Sequence, residues 1–263
     1  MPIDLDGAVE AFWAAREKGD FFPAAYAGQL GLDDAYRIQL AMTDRRVAAG
    51  ERQIGKKVGL TAKTIQEQFG FHEPVFGCVL ETRPTGHAFG ASELIKPGFE
   101  TEICVRLGRD LYGAATMQEV RRGVDAIHPA FEIIETRGDI VSQMSLALAD
   151  NAQQRSVILG EALPLGDLDL ADVRADVFLN GAQVASGLGS AVLGNPLRSV
   201  AWLAGRLGAY GRRLRAGDIV MTGSFVRQFP LAPGDHARAV FSGIGEVTVA
   251  VARSQGDTSS LSR

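Results

Sequence analysis

From Ile54 onward the chain is cut by glycine and proline into short apolar runs, and this punctuation constrains its fold more than any other feature. ETEICVRLG, FEIIETRG, RADVFLNG, GDIVMTGS, HARAVFSG and GEVTVAVA each place β-branched and apolar residues between turn-forming positions, the pattern of a strand. Two stretches interrupt them with helical spacing. TMQEVRRGVDAIH is one; PLRSVAWLAGRLGAYG is the other, with proline in its first turn and Gly211 past its end. The 31 glycines fall mainly in the turns between short strands. That texture predicts an α+β chain built on a mixed β-roll or barrel rather than a doubly wound parallel sheet.

The first fifty residues read differently. Apolar residues recur there at three- and four-residue intervals (Val9, Phe12, Trp13, then Tyr36, Leu40, Met42). LDDAYRIQLAMTDRRVAAG is a helix expected to open at Asp33 or Asp34 and to close at Gly50. The expected organisation is a helical N-terminal cap region (1–53), a mixed β-roll catalytic domain (54–253) and a polar tail (254–263).

A chain of 263 residues buries roughly 70–75% of its unfolded surface and needs no disulfide to stay folded. Cys78 and Cys104 sit in apolar runs without metal-ligand spacing and read as small buried hydrophobes. The formal charge of −4 is spread along the chain with no basic block, which argues against a nucleic-acid partner. No apolar stretch reaches the roughly 20 residues of a membrane span. The acidic, amphipathic N-terminus lacks the basic and apolar regions of a secretory signal. The expected compartment is the cytoplasm.

The residues that carry chemistry are acidic. Glu100 and Glu102 lie two apart on a strand, so both carboxylates project from one face. The strand continues through Ile103, Cys104 and Val105 as if buried, where two like charges repel unless a cation sits between them. Two exposed glutamates on a solvated face would give the same spacing. Glu132 stands between Phe131 and Ile133, where an unpaired carboxylate is costly. It is the better third ligand, although a salt-bridged structural glutamate fits equally. Glu135 has the opposite parity and is expected to pair with Arg137 across the surface. Oxygen-only ligation suits a hard divalent ion, Mg²⁺ or Mn²⁺.

In Gly55-Lys56-Lys57-Val58-Gly59-Leu60-Thr61, one lysine of a half-buried strand must face inward, where it can meet a substrate carboxylate or an enolate; a stem reaching to solvent is the alternative. Asp150-Asn151 offers groups for a substrate or an ordered water, or else forms an Asx turn. Thr222-Gly223-Ser224 ends a strand in small polar groups that bring backbone N–H donors near an anion. The four histidines are scattered, against zinc. Neither a G-x-S-x-G elbow nor a dinucleotide-binding glycine pattern occurs in context.

In this order, AYRIQ, GKKVGLT, FETEICV, PAFEIIETR, ADNA, LGNPLRSVAWLA, LRAGDIVMTGS and PGD…GIGEV resemble the fumarylacetoacetate hydrolase superfamily, in its 2-hydroxydienoate hydratase and 4-oxalocrotonate decarboxylase branch. The stretches run from about Leu32 to Val251. The resemblance implies a β-roll of that superfamily's C-terminal type and a Mg²⁺ or Mn²⁺ site of Glu100, Glu102 and Glu132. It implies that Lys57, rather than Lys56, is catalytic with Asp150 and Ser224, and that Leu60, Thr61, Asn151, Thr222 and Gly223 meet a small keto or dienoic acid. A homo-oligomer is the implied assembly. The chain departs from the branch at Val75, where hydratases carry an aspartate and decarboxylases an apolar residue, at Gly98, where a basic residue is common, and before ADNA, where the usual aspartate is missing. Hydration of a 2-hydroxy-2,4-dienoate is the expected reaction, followed in order by 2-keto acid decarboxylation and acylpyruvate-type hydrolysis.

Overall fold

The structure, a computed structural model, describes residues 3–68 and 70–253; the polar tail, 254–263, lies outside the described residues. Two helices come first, α1 (Leu5–Glu17) and α2 (Leu32–Ala48). The Asp4 side chain caps α1 by accepting from the Gly7 N–H. Gly31, not an aspartate, occupies the N-cap of α2. Asp33 and Asp34 lie inside its first turn, where their charge complements the positive end of the helix dipole.

Strands and short helices then alternate: β1 (Gly55–Gly59), α3 (Lys63–Gln68), β2 (Val75–Val79), β3 (Thr82–Pro84), β4 (His87–Phe89), β5 (Pro97–Leu107), α4 (Met117–Gly123), β6 (Val124–Glu135) and α5 (Met144–Ala149). The chain continues through β7 (Gln154–Leu159), β8 (Arg174–Leu179), β9 (Ala182–Leu188), α6 (Pro196–Gly208), β10 (Ile219–Met221), β11 (Phe229–Pro230), β12 (His236–Phe241) and β13 (Gly245–Val251). One mixed sheet runs β2-β1-β10-β5-β6-β7-β3, with β11 added to β5; a second runs β4-β13-β12-β8-β9. Although four strands separate β2 from β7 in that order, the two approach each other, so the sheet curls into a half-barrel.

The helix expected over TMQEVRRGVDAIH is shorter than its spacing implied. A capping box of Thr116 and Glu119 opens α4, but it stops at Gly123, and Val124–His128 belong to β6. Pairing with β5 along nearly the whole of β6, from Pro97 opposite Glu135 to Leu107 opposite Val124, outweighs the local helical pattern. Two helices not foreseen, α3 and α5, are only six residues each.

One hydrophobic core joins the helices to the sheet, with Phe12 and Tyr36 in the same cluster as Phe99 and Phe131. Tyr36 stacks on Phe76 of β2 at 4.1 Å between ring centroids. Gln39 donates from its amide to the carbonyls of Phe76 and Leu148, tying α2 to β2 and α5. Cys78 and Cys104 are buried free thiols. No described helix is long and apolar enough to cross a membrane.

Candidate metal centre and adjoining cavity

Strand register builds the centre. Glu100 and Glu102 share one face of β5, and β6 places Glu132 directly opposite Glu100. One carboxylate oxygen from each of the three lies within 4.8 Å of the others. Lys57 of β1 reaches the same spot, with its Nζ 3.4 Å from Glu132 Oε1. Its stem crosses Gly77 of β2, where a Cβ would stand 3.2 Å from the lysine chain, so a small residue there leaves the path open. Lys56 is buried too, but points the other way, its Nζ 3.4 Å from Cys78 Sγ.

These charges are out of water: Glu132 is 0%, Glu102 1% and Lys57 5% exposed. Glu102 Oε2 accepts from the Gly223 N–H at 2.8 Å. Glu102 Oε1 and Glu132 Oε2 have no partner, and Glu132 Oε1 has only the Lys57 ammonium at 3.4 Å. Buried carboxylate oxygens without donors are strongly disfavoured unless a cation meets them. Three carboxylates against one ammonium leave two negative charges, which one divalent ion balances. The donor set therefore fits a hard divalent cation held by Glu100, Glu102 and Glu132.

Electrostatics agree. Burial, opposed by Lys57 and reinforced by Glu100, pushes Glu132 up to about 7. Burial and then the Glu132 and Glu100 charges hold Glu102 well above the usual carboxylate range. Burial also raises Glu100, against the pull of Lys57. Lys57 is disfavoured by burial, yet Glu132, Glu100 and Glu102 outweigh this and keep it above its ordinary value.

Lys57 and Glu100 open onto a cavity of about 520 Å³. Leu60, Thr61 and Ser224 are in its wall. Ser224 Oγ accepts from the Thr101 N–H and donates to the Thr101 carbonyl. Gly223, at φ +114°, has no room for a side chain, since a Cβ would lie 2.5 Å from Thr61. The other expected residues stand behind the wall. Thr222 donates to the Ile103 carbonyl. The Asn151 amide clamps Cys78, accepting from its N–H at 2.7 Å and donating to its carbonyl at 2.8 Å. Asp150 accepts from Arg137 Nε at 2.6 Å. Glu135 does pair with Arg137, at 2.9 Å, but in the interior and not across the surface: it is 4% exposed and also accepts from the Ile95 N–H.

Sequence reasoning missed much of the wall. Met144, Ala147 and Leu148 of α5 face the cavity with Ile140. Their three- and four-residue spacing in MSLALA was the available signal, in a segment too short to stand out. Val75 lines the cavity as well. Gln228 occupies the space beside Gly98, where a Cβ would meet its Nε2 at 2.3 Å.

Residues 82–252 match the fumarylacetoacetate (FAA) hydrolase C-terminal family. The chain is 36% identical over 228 residues to a 2-hydroxyhexa-2,4-dienoate hydratase of Comamonas testosteroni, covering 84% of this chain and 86% of that one. It is 36% identical over 259 residues to a 2-keto-4-pentenoate hydratase of Paraburkholderia xenovorans, covering 94% of each. Among solved structures, 4-oxalocrotonate decarboxylase from Pseudomonas putida G7, complexed with magnesium and adipate, superposes with a TM-score of 0.89 at 28% identity, covering 95% of this chain and 99% of that one. The curled sheet, the helical N-terminal layer and the matched residues together make this chain a member of the fumarylacetoacetate hydrolase family.

Proposed function

We propose that the protein is a metal-dependent hydratase that adds water to a 2-hydroxy-2,4-dienoate, by way of its keto form, to give a 4-hydroxy-2-oxo acid. The observation that carries this reading is the meeting of Glu100, Glu102, Glu132 and Lys57 beside one largely apolar cavity. The hydratase relatives at 36% identity support it. The oxygen-only ligand set favours Mg²⁺ or Mn²⁺. When bound, the cation supplies Lewis-acid charge to the substrate's carboxylate and 2-oxygen.

Lys57 provides positive charge where the dienol gives up its hydroxyl proton. A proton arriving at C5 moves the double bond to C3–C4; water then delivers hydroxyl to C4 and a proton to C3. Ser224 has its own proton engaged by Thr101, which leaves its Oγ as an acceptor to orient that water. Leu60 and Thr61 contribute wall beside the substrate. Asp150, Asn151 and Thr222 act from behind by holding backbone in place.

Decarboxylation of a 2-keto diacid is the second reading, favoured by apolar Val75 in the wall and by the solved decarboxylase. A panel of dienoates and 2-keto diacids, followed by ultraviolet absorbance with and without Mg²⁺, separates them. Hydroxylated keto acid marks the hydratase and carbon dioxide the decarboxylase, while two carboxylic fragments would point to a hydrolase. For Lys57→Ala we expect turnover to fall by about 10²–10⁴-fold with divalent binding retained. Unaltered kinetics would remove Lys57 from the reaction.

A further inference from the structure

Resting on the keto-acid reading above, the geometry points to a substrate whose distal end is an uncharged alkyl or aryl tail and not a second carboxylate.

Apart from Glu100 and Lys57, the cavity wall is mostly hydrocarbon. Ile134 of β6, Ile140, and Met144, Ala147 and Leu148 on one side of α5 contribute to it, with Val226. At about 520 Å³ the space is the size that encloses a ligand well beyond a five-carbon acid. Among the described residues, Arg227 is the single cation of the lining besides Lys57. It is exposed, and its guanidinium lies over the Phe229 ring at 4.0 Å from the centroid. Gly98 brings no side chain, and the neutral Gln228 amide fills the space beside it. Gln153 donates its amide to the Gly138 carbonyl. Among the described residues, a carboxylate at the far end of a substrate would thus meet neutral donors, methyl groups and the solvent-exposed Arg227, with no buried opposite charge, and a buried charge without a buried partner is strongly disfavoured. An alkyl or aryl end gains from the same surface, and each further methylene is expected to tighten binding roughly fourfold until the wall is reached.

Calorimetric titration of the Mg²⁺-loaded protein tests this without relying on turnover. The probes are straight-chain 2-oxo monoacids from 2-oxobutanoate to 2-oxooctanoate, and the diacids 2-oxoglutarate and 2-oxoadipate. We expect affinity to rise along the monoacid series and each diacid to bind at least about 100-fold more weakly than the monoacid of equal length. Met144→Arg, on the half-buried start of α5, should narrow that gap by at least about tenfold, because it adds a cation to the wall. Equal or tighter binding of the diacids overturns the inference while leaving the keto-acid site standing. Failure of every 2-oxo acid to bind overturns both.

Discussion

At Glu132 a carboxylate sits wholly out of water, its Oε2 without a partner and its Oε1 met only by Lys57 Nζ at 3.4 Å, with Glu100 directly across the strand pair. With one ammonium against three carboxylates, like charges held this way destabilise the protein whenever no divalent ion is present. Glu102 offers the least disruptive way to relieve them, because its Oε2 already has the Gly223 N–H and only Oε1 is unpartnered. In Glu102→Gln the amide oxygen can keep that bond while the NH₂ group donates to a neighbouring carboxylate. We expect the chelator-treated variant to melt roughly 2–6 °C above the chelator-treated wild type, a gain of about 1–2 kcal/mol. Metal-dependent turnover should be abolished in the same variant. Scanning calorimetry in excess chelator reads the first effect, and the ultraviolet assay the second. A metal-free variant no more stable than wild type would mean that the three carboxylates do not repel one another in the folded protein.

Between α5 and β7 the chain makes a left-handed turn, with φ of 58°, 49° and 58° at Asn151, Ala152 and Gln153. None of these is glycine, and each such residue costs about 1–2 kcal/mol against right-handed backbone. The turn persists because its flanks are fastened: Asn151 holds both backbone groups of Cys78, and Arg137 binds both the carboxylate and the carbonyl of Asp150. Its product is the placement of Ala152 and Gln153 in the cavity wall. Asn151→Ala, which strips partners from buried Cys78 groups and puts alanine at a left-handed position that asparagine tolerates better, is expected to lower stability by about 2–4 kcal/mol. It should raise KM more than it lowers kcat, since the wall moves while the carboxylates stay. Urea unfolding and steady-state kinetics check the two halves, and an unchanged KM would show that the turn does not shape the wall. The E-x-E spacing on β5 was legible in the sequence because strand parity is local, and Lys57 was legible from its motif. The clamp of Asn151 on Cys78 joins residues 73 positions apart, and the inward burial of Glu135 and Arg137 depends on what folds over them. Neither carries a local periodic signal. Val124–His128 misled for the same reason, since their strand state is imposed by β5.

Composition divides the chain near residue 54, but the folded molecule packs both sides of that point into one core. The N-terminal segment also reaches the surroundings of the cavity. Phe22 packs so closely on Gly138 that a Cβ there would lie 2.3 Å from its ring, and the Arg137 guanidinium lies 5.2 Å from the Phe21 ring centroid. Gln39 of α2 bonds the Leu148 carbonyl, behind a residue of the apolar wall. A chain beginning at residue 54 would expose Phe76 and leave the Phe76 and Leu148 carbonyls without the Gln39 amide, losses of about 4–9 kcal/mol that are comparable with the roughly 5–15 kcal/mol by which whole proteins are stable. We therefore expect one cooperative transition for the whole chain, and no folded, divalent-binding product from residues 54–263 alone. The two tryptophans, Trp13 in α1 and Trp202 in α6, provide a direct reading. With each replaced in turn by phenylalanine, urea titrations of the two single-tryptophan proteins should have the same m-value, and their midpoints should differ only by the stability each replacement itself removes, as circular dichroism of the same samples records. An earlier transition at Trp13 than in the circular dichroism of its own protein would separate the helical layer from the sheet, and the cavity wall would then owe nothing to it.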